Sequence, residues 1–537
     1  MQLVVDFGTE LEGALELAVT ARESATVIVA FGESVPEAES WGLETRCREQ
    51  LPPKEMWQID GKGAHRVAYS SRGLRFVRLH FFDLTGPLTL TFMRVRARFT
   101  FDKRRGDFAC SDRLLQRVWQ SSVYTARLCT MPDTIWDGIK RDRVGWYGDA
   151  RITKETIDTV YFDPRPSVPM MTRLPTDAWA NEIPVYSFDC IAMLRQHLAM
   201  FGTDDARAVD VFEHIEAMLA WAERTQVNRR GFLVRNDNVK YQFGIGFIDW
   251  SPQPRGGRFE ELSWLQCSYV EALRNAAVVA QWLGHAQAAR RYDAQARRLA
   301  AKVRSRFWRK GAGFDHTLNK THRGPWRMPL QEGEHYRETY LDRIRLGPSG
   351  PSRQSTARAV WAGILDDSQM RFSLAKVFRN PRIPAIITPY YRYYENMARA
   401  ACGDVDGALL DMRDYVGQML QTYDSATVWE SFEPEVQGIR AYSLGTWPKS
   451  MCHGWSSGMV GLVYRHVLGI DIAAPGYARV TLNPRSDLNM TFEATVPTPH
   501  GPLRCVKPQR NGPVEYTVPQ GIECSVADTD RAHVSGH

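Results

Sequence analysis

Ile135-Trp-Asp-Gly-Ile-Lys-Arg-Asp-Arg-Val-Gly-Trp-Tyr-Gly-Asp149 is the densest polar and aromatic stretch of the chain, with three acids, three bases and three aromatic rings set among three glycines. A solvated loop has no use for two tryptophans. Aromatic rings stack on the C–H faces of sugars while carboxylates and guanidinium groups take up hydroxyls, so this mixture suits a saccharide pocket. The same residues also fit a buried Arg/Asp lattice that pins neighbouring loops.

Outward from this stretch the pattern changes on both sides. Upstream, from Leu3 to about Phe101, short runs such as Ala25-Thr-Val-Ile-Val-Ala30, Phe76-Val-Arg-Leu-His-Phe81 and Leu88-Thr-Leu-Thr-Phe92 are separated by turn residues, which predicts a β-sandwich over 1–105. After Arg104-Arg105-Gly106 amphipathic helices begin, with Ser111-Asp112 as a cap before Leu114, Leu115 and Val118. Helical stretches at Ala206–Trp221, Glu271–Leu283, Ala286–Phe307, Ser355–Leu365 and Val405–Met419 alternate with long aromatic, Pro/Gly-rich loops. Helix pairs joined by long loops imply an α/α toroid over 106–470, with the site where the loops converge at one end. Beyond Pro475-Gly-Tyr477, Ala478–Leu482 and Phe492–Val496 read as strands, giving a β-domain over 471–537. The chain is thus expected to be multidomain, as 537 residues exceed what one core supports.

Composition narrows the function classes. At 44% hydrophobic and 24% charged residues the chain matches ordinary globular proteins, and its net charge of +7 comes from scattered arginines rather than a basic stripe. No nucleic-acid partner is expected, whereas an acidic glycan would suit the mild positive bias. No apolar run reaches the roughly 18 residues of a membrane span. The start, Met1-Gln-Leu-Val-Val-Asp6, lacks the basic and apolar regions of a secretory signal, so a cytoplasmic location is expected. The nine cysteines stand singly, with no CxxC pair and no histidine at zinc spacing, so reduced thiols and no metal are expected.

Asp137, Arg141, Asp142, Arg143, Gly145, Trp146, Gly148 and Asp149 resemble the signature of the family 78 glycoside hydrolases, the α-L-rhamnosidases. That signature runs Asp, a short gap, Arg, any residue, Glu, Arg, any residue, Gly-Trp, any residue, Gly-Asp. Spacing here is one residue shorter, and alignment on Arg143 puts Asp142 where the family carries its general-acid Glu. Thr427-Val-Trp-Glu430 resembles the family's Thr-x-Trp-Glu segment, whose Glu is the base, although Thr427 and Glu430 also have capping-box spacing. Ser450-Met-Cys-His453-Gly-Trp-Ser-Ser-Gly458 resembles the motif whose His bonds a sugar hydroxyl, and a structural His is the alternative. Asp249-Trp250 resembles the family's Asp-Trp loop. Val5-Asp-Phe-Gly8 and Phe31-Gly-Glu-Ser34 resemble the β-domain before its barrel.

The resemblance implies an (α/α)6 helical barrel flanked by N-terminal and C-terminal β-sandwich domains, and an inverting glycosidase that releases terminal α-L-rhamnose or a related deoxysugar. Asp142 would be the acid and Glu430 the base, with the carboxyls roughly 6.5–9.5 Å apart. Asp137, Arg141, Trp146, Asp149, Asp249, Trp250, Trp429 and His453 would bind the substrate, an oligosaccharide or glycoside, with no cofactor. Tyr186, Asp189, Trp264, Tyr336, Tyr390 and Tyr391 are weaker candidates for the walls. Two alternatives remain open: a lyase removing rhamnose from glucuronate, with Lys140 and Arg141 clamping the carboxylate, and a non-catalytic carbohydrate-binding protein.

Overall fold

Strand β1, Gln2–Ala21, organises the N-terminal part of the molecule, because both of its edges are used. It belongs to a six-stranded sheet with β2 (Ala25–Gly32), β3 (Lys54–Ile59), β4 (Gly63–Ala68), β5 (Arg72–Phe82) and β6 (Leu88–Ala97), in the order β3-β2-β5-β1-β4, with β6 also on β1. All pairings are antiparallel. The first part of β1 pairs with β5 and the last part runs between β4 and β6; the register shifts between Asp6 and Leu11, around Gly8 at φ 80°. The structure is a computed structural model that describes residues 1–39, 54–140, 142–234, 247–249, 251, 261–318, 350–433, 449–485, 487–527 and 532–536.

Side chains of β1 alternate, as strand geometry requires. Leu15, Leu17, Val19 and Ala21 enter an apolar cluster with Val27, Val29, Phe31, Leu74, Val77, Leu79 and Phe81. The other parity carries Glu10, Glu12 and Glu16, buried acids held by polar partners. Glu16 takes Arg66, Arg94 and Arg96, and Glu12 takes Arg98 and Arg143. Glu10 accepts from Ser425 Oγ at 3.2 Å, and burial pushes its carboxyl up to about 7.

A carboxyl raised by folding stabilises fully below its unfolded value of 4.5, and that contribution is lost as pH rises through about 7. Glu10→Gln should therefore flatten the dependence: between pH 5.5 and 8.5 the melting temperature of the parent should fall further than that of the variant. Parallel curves would show that Glu10 does not carry this term.

The helices follow. They are α1 (Arg113–Leu128), α2 (Tyr147–Val160), α3 (Pro184–Phe201), α4 (Ala206–Thr225), α5 (Ser263–Trp282), α6 (Ala286–Phe307), α7 (Arg353–Trp361), α8 (Pro389–Ala401), α9 (Val405–Gln421) and α10 (Met459–His466). In α1 the Asp112 side chain accepts from the amides of Leu114 and Leu115, which ties down two N–H groups that the helix start leaves open. Among the described residues α2, α3, α5, α7, α8 and α10 pack in succession, each on the next and the last on the first. Helices α1, α4, α6 and α9 pack outside α2, α3, α5 and α8. Burial follows position: α6 hides one stripe (Ala288, Ala289, Tyr292, Ala296, Leu299, Val303), whereas every residue of α2 except Arg151 is buried. The charges of α2 are consequently paired, Lys154 with Asp158 and Glu155 with Arg465 and the Tyr393 hydroxyl.

Ile470–Ala474, Arg479–Leu482 and Glu523–Val526 form a three-stranded sheet beside the helices. A five-stranded sheet has the order Ala532–Gly536, Val514–Val518, Leu503–Lys507, Phe492–Val496, Asp107–Cys110, so a strand just ahead of α1 forms the edge of the C-terminal sheet. One apolar core runs from the helices into Phe492, Ala494, Val496, Leu503 and Val514. No described helix is long and apolar enough to cross a membrane. The cysteines from Cys110 to Cys524 are free thiols.

Candidate functional site

Three stretches distant in sequence meet at the N-terminal ends of α2 and α3. Thr427–Glu430 is extended and lies along Lys449–His453: the Glu430 amide donates to the Ser450 carbonyl (2.9 Å) and the His453 amide to the Val428 carbonyl (3.0 Å). Thr427 starts no helix. Its Oγ1 donates to the Met451 carbonyl at 2.7 Å, so the capping-box reading of Thr427 and Glu430 is corrected to a tie between two non-helical segments. Gly138 bridges to His453, and the Gly454 amide donates to the Asp137 carbonyl at 2.6 Å. Asp149 stands in the first turn of α2, where the open N–H groups and the helix dipole favour a carboxylate.

These ties gather Asp137, Asp149, Glu430 and His453, all buried. Glu430 is 1% exposed and accepts from Lys449 Nζ at Oε1 (3.1 Å) and from the Ser450 amide at Oε2 (2.9 Å). The His453 ring spans two acids, with Nε2 2.9 Å from Asp149 Oδ1 and Nδ1 3.8 Å from Glu430 Oε2. Nδ1 makes no hydrogen bond among the described residues. Tyr186 donates its hydroxyl to Asp149 Oδ2 at 3.0 Å. Burial opposes a charge on His453, but Glu430, Asp149 and Asp137 outweigh it and hold the imidazole pKa above its ordinary value. Burial raises the Asp149 carboxyl, and His453 only partly offsets this. Asp137 Oδ1 accepts from the Val144 amide at 3.2 Å, closing the intervening loop on itself.

That loop carries Asp142, which is exposed, and passes through two consecutive left-handed residues, Asp142 (φ 51°) and Arg143 (φ 54°). Such conformations cost non-glycine residues about 1–3 kcal/mol each, so the shortened loop is held by its surroundings. Arg143 supplies part of the hold, donating to Glu12 Oε1 (2.6 Å) and the Ser71 carbonyl (2.7 Å), with its guanidinium over Trp136. Lys140 is enclosed. Its Nζ lies 3.1 Å from Glu33 and 3.1 Å from Glu37 and donates to the Lys449 carbonyl. Arg141, Trp250 and Tyr336 lie outside the described residues.

The remaining candidates divide by burial. Trp146 is half-buried, edge-on to Tyr186. Trp429 is fully buried; it donates to Ser425 Oγ and packs against Tyr423 and Phe432, behind Glu430. Asp249 is buried too, accepts from Thr388 Oγ1 at 2.7 Å, and is pushed by burial up to about 6. Asp189 pairs with Arg151, Tyr391 accepts from Arg358, Trp264 is buried, and Tyr390 stacks on Trp455 next to His453. Lys449, Ser450 and Glu33 were missed in the sequence. Ser450 opens the histidine motif and Lys449 directly precedes it; Glu33 has no local signal linking it to Ser450, 417 positions away. A separate cavity of about 380 Å³, lined by Arg151, Glu155, Arg195, Glu271 and Arg465, lies toward the C-terminal ends of α2, α3 and α5 and contains none of the four gathered residues. No described group of three or more His, Cys, Asp or Glu residues could hold a metal ion.

Gly148 explains one motif position physically. A Cβ there would lie 2.1 Å from the Tyr186 ring, and that ring is fixed by its bond to Asp149. Gly148→Ala should lower stability by about 1–3 kcal/mol through overpacking, read as a drop in the urea midpoint. An unchanged midpoint would mean that Tyr186 is free to move.

The family model of the bacterial alpha-L-rhamnosidase 6 hairpin glycosidase domain matches residues 103–165 and 163–333. This match and the overlays on solved structures give this part of the chain a six-hairpin glycosidase-like fold. A family 78 rhamnosidase from Bacillus sp. GL1 overlays all of the chain at TM-score 0.79 and 21% identity. A Klebsiella oxytoca rhamnosidase solved with rhamnose bound overlays 86% of the chain at TM-score 0.66 and 18% identity, and 87% of that protein is covered. A Streptomyces avermitilis α-L-rhamnosidase complexed with L-rhamnose overlays 96% at TM-score 0.64 and 16% identity. At these identities the likeness is one of fold. The chain spans 54% of the Bacillus structure and 47% of the Streptomyces one. No curated protein matches in sequence. Of the gathered carboxyls, Asp149 lies in the first turn of α2, whereas Asp137 and Glu430 lie on the segments packed beside it.

Proposed function

We propose that this chain is an α-L-rhamnosidase that releases a terminal α-L-rhamnose, or a related deoxysugar, with inversion, and that its six successive helices form the inner ring of an (α/α)6 barrel between two β-sandwich domains. The observation that carries the reading is Glu430: a carboxylate almost fully buried, yet supplied with nitrogen donors from Lys449 and Ser450. Donors on a carboxylate favour its ionised form, and an ionised carboxylate is what a base acting on water requires. His453 Nδ1 is assigned to a sugar hydroxyl and Asp149 to orienting the imidazole through Nε2. Asp142, exposed on its loop, is assigned the protonation of the leaving oxygen. Trp146 is assigned the apolar side of the deoxysugar. Asp137, Arg141, Asp249, Trp250 and Trp429 are assigned to shaping the pocket around it. The rhamnose in the Klebsiella and Streptomyces structures supports the choice of sugar.

The enclosure of Lys140 by two acids weighs against its use as a uronate clamp, since its charge is already matched. Aryl glycosides of rhamnose, fucose, mannose and arabinose test the reading directly. The rhamnoside should be cleaved with the highest kcat/KM; preference for another sugar, or binding of rhamnose without any turnover, would contradict it.

A further inference from the structure

The N-terminal sheet lies against the site, and its buried acids reach both site loops. Glu33, directly after β2, accepts from Ser450 Oγ at Oε1 (3.0 Å) and from the Met451 amide at Oε2 (2.7 Å). The next donors along the same backbone are those on Glu430, the Ser450 amide and Lys449 Nζ. Lys140 Nζ joins Glu33 and Glu37 to the Lys449 carbonyl, which ties the Asp137 loop to the same segment. Neutralising Lys140 is a role that Glu37 already fills at 3.1 Å, with burial working against that lysine's charge and both glutamates restoring it. What Glu33 alone does among these acids is hold residues 450 and 451.

We propose that Glu33 is a positioning residue for Glu430: it fixes the Lys449–Met451 backbone so that Lys449 Nζ and the Ser450 amide stay on the Glu430 carboxylate. The N-terminal sheet is then a working part of the active site and not a separate sugar-binding module. This rests on the reading of Glu430 as the base.

The test is a carboxyl ¹³C NMR titration of the full chain carrying labelled glutamate, with Glu430 assigned by its loss in Glu430→Gln, beside kcat/KM against pH on an aryl α-L-rhamnoside. In Glu33→Gln one arm of the side chain can no longer accept, the donors slacken, and Glu430 should titrate at higher pH than in the parent. The acid limb of kcat/KM should move up with it. We expect kcat to fall about tenfold or more while KM stays within about threefold. A purely structural role would lower the melting temperature or the amplitude of the profile and leave the limb and the Glu430 titration in place, and that result overturns the proposal. If Glu33→Gln does not fold, Ser450→Ala removes the hydroxyl that Glu33 accepts from, and the same upward shift is expected; an unchanged titration again overturns it. A parent chain with no turnover would refute the rhamnosidase reading, while the NMR titration would still decide the role of Glu33.

Discussion

Glu430→Gln is expected to lower turnover of an aryl α-L-rhamnoside by roughly a thousandfold or more, equivalent to about 4 kcal/mol of transition-state stabilisation. The amide keeps the volume of the side chain and can still accept one hydrogen bond, from Lys449 or from the Ser450 amide, so the loss arises from the proton it cannot take from water. Substrate binding should change little, because sugar hydroxyls are assigned to His453 and its neighbours. The fold should be kept, as read by an unchanged far-ultraviolet spectrum. Turnover within tenfold of the parent would remove Glu430 from the role of base.

Asp142→Asn has the second largest expected effect, and the effect depends on the leaving group. A natural glycoside departs as a poor alkoxide that needs a proton, so loss of the acid should cost about a hundredfold or more in kcat/KM. An activated phenolate needs little assistance, so a nitrophenyl rhamnoside should retain most of its rate. The exposed, left-handed position of Asp142 makes it a side chain that a bound glycoside can reach without displacing the core. Equal losses on both substrates would show that Asp142 is not the acid, and Asp137 and Asp149 would then be tested in the same way.

Much of this was legible in the sequence because local rules agreed with the tertiary fold. Strands such as Ala25–Gly32 alternate toward a core, and Asp112 caps α1, so both announce themselves within a few residues. Helix α5 was predicted from Glu271 but starts at Ser263, since Trp264 to Val270 is buried on all sides and shows no amphipathic stripe. Asp107–Cys110 lies next to the helices in sequence, yet its partner is Phe492–Val496, a pairing that no local pattern encodes. At the site, Glu430, His453 and Asp149 were found through motif resemblance, while Thr427 illustrates how one spacing serves two structures: Thr-x-x-Glu fits a helix cap and also an extended segment tied to Met451. Lys140 enters the sequence reading only as a carboxylate clamp, with Arg141, in the lyase alternative, and only the fold brings Glu33 and Glu37 onto it. Trp429 is expected from the resemblance to bind the substrate, and its neighbours Tyr423 and Phe432 place it behind Glu430.

The central claim, hydrolysis of a rhamnosidic bond, is tested most directly by following the products from a rhamnosyl glycoside that contains no uronate and from one that does. Hydrolysis transfers water to the rhamnose carbon and leaves a saturated acceptor; elimination removes the proton beside a uronate carboxylate and leaves a conjugated double bond that absorbs in the ultraviolet. The account predicts free rhamnose from both substrates, first seen by NMR as the β anomer, with no gain in ultraviolet absorbance. Cleavage confined to the uronate substrate and accompanied by the unsaturated chromophore would contradict it.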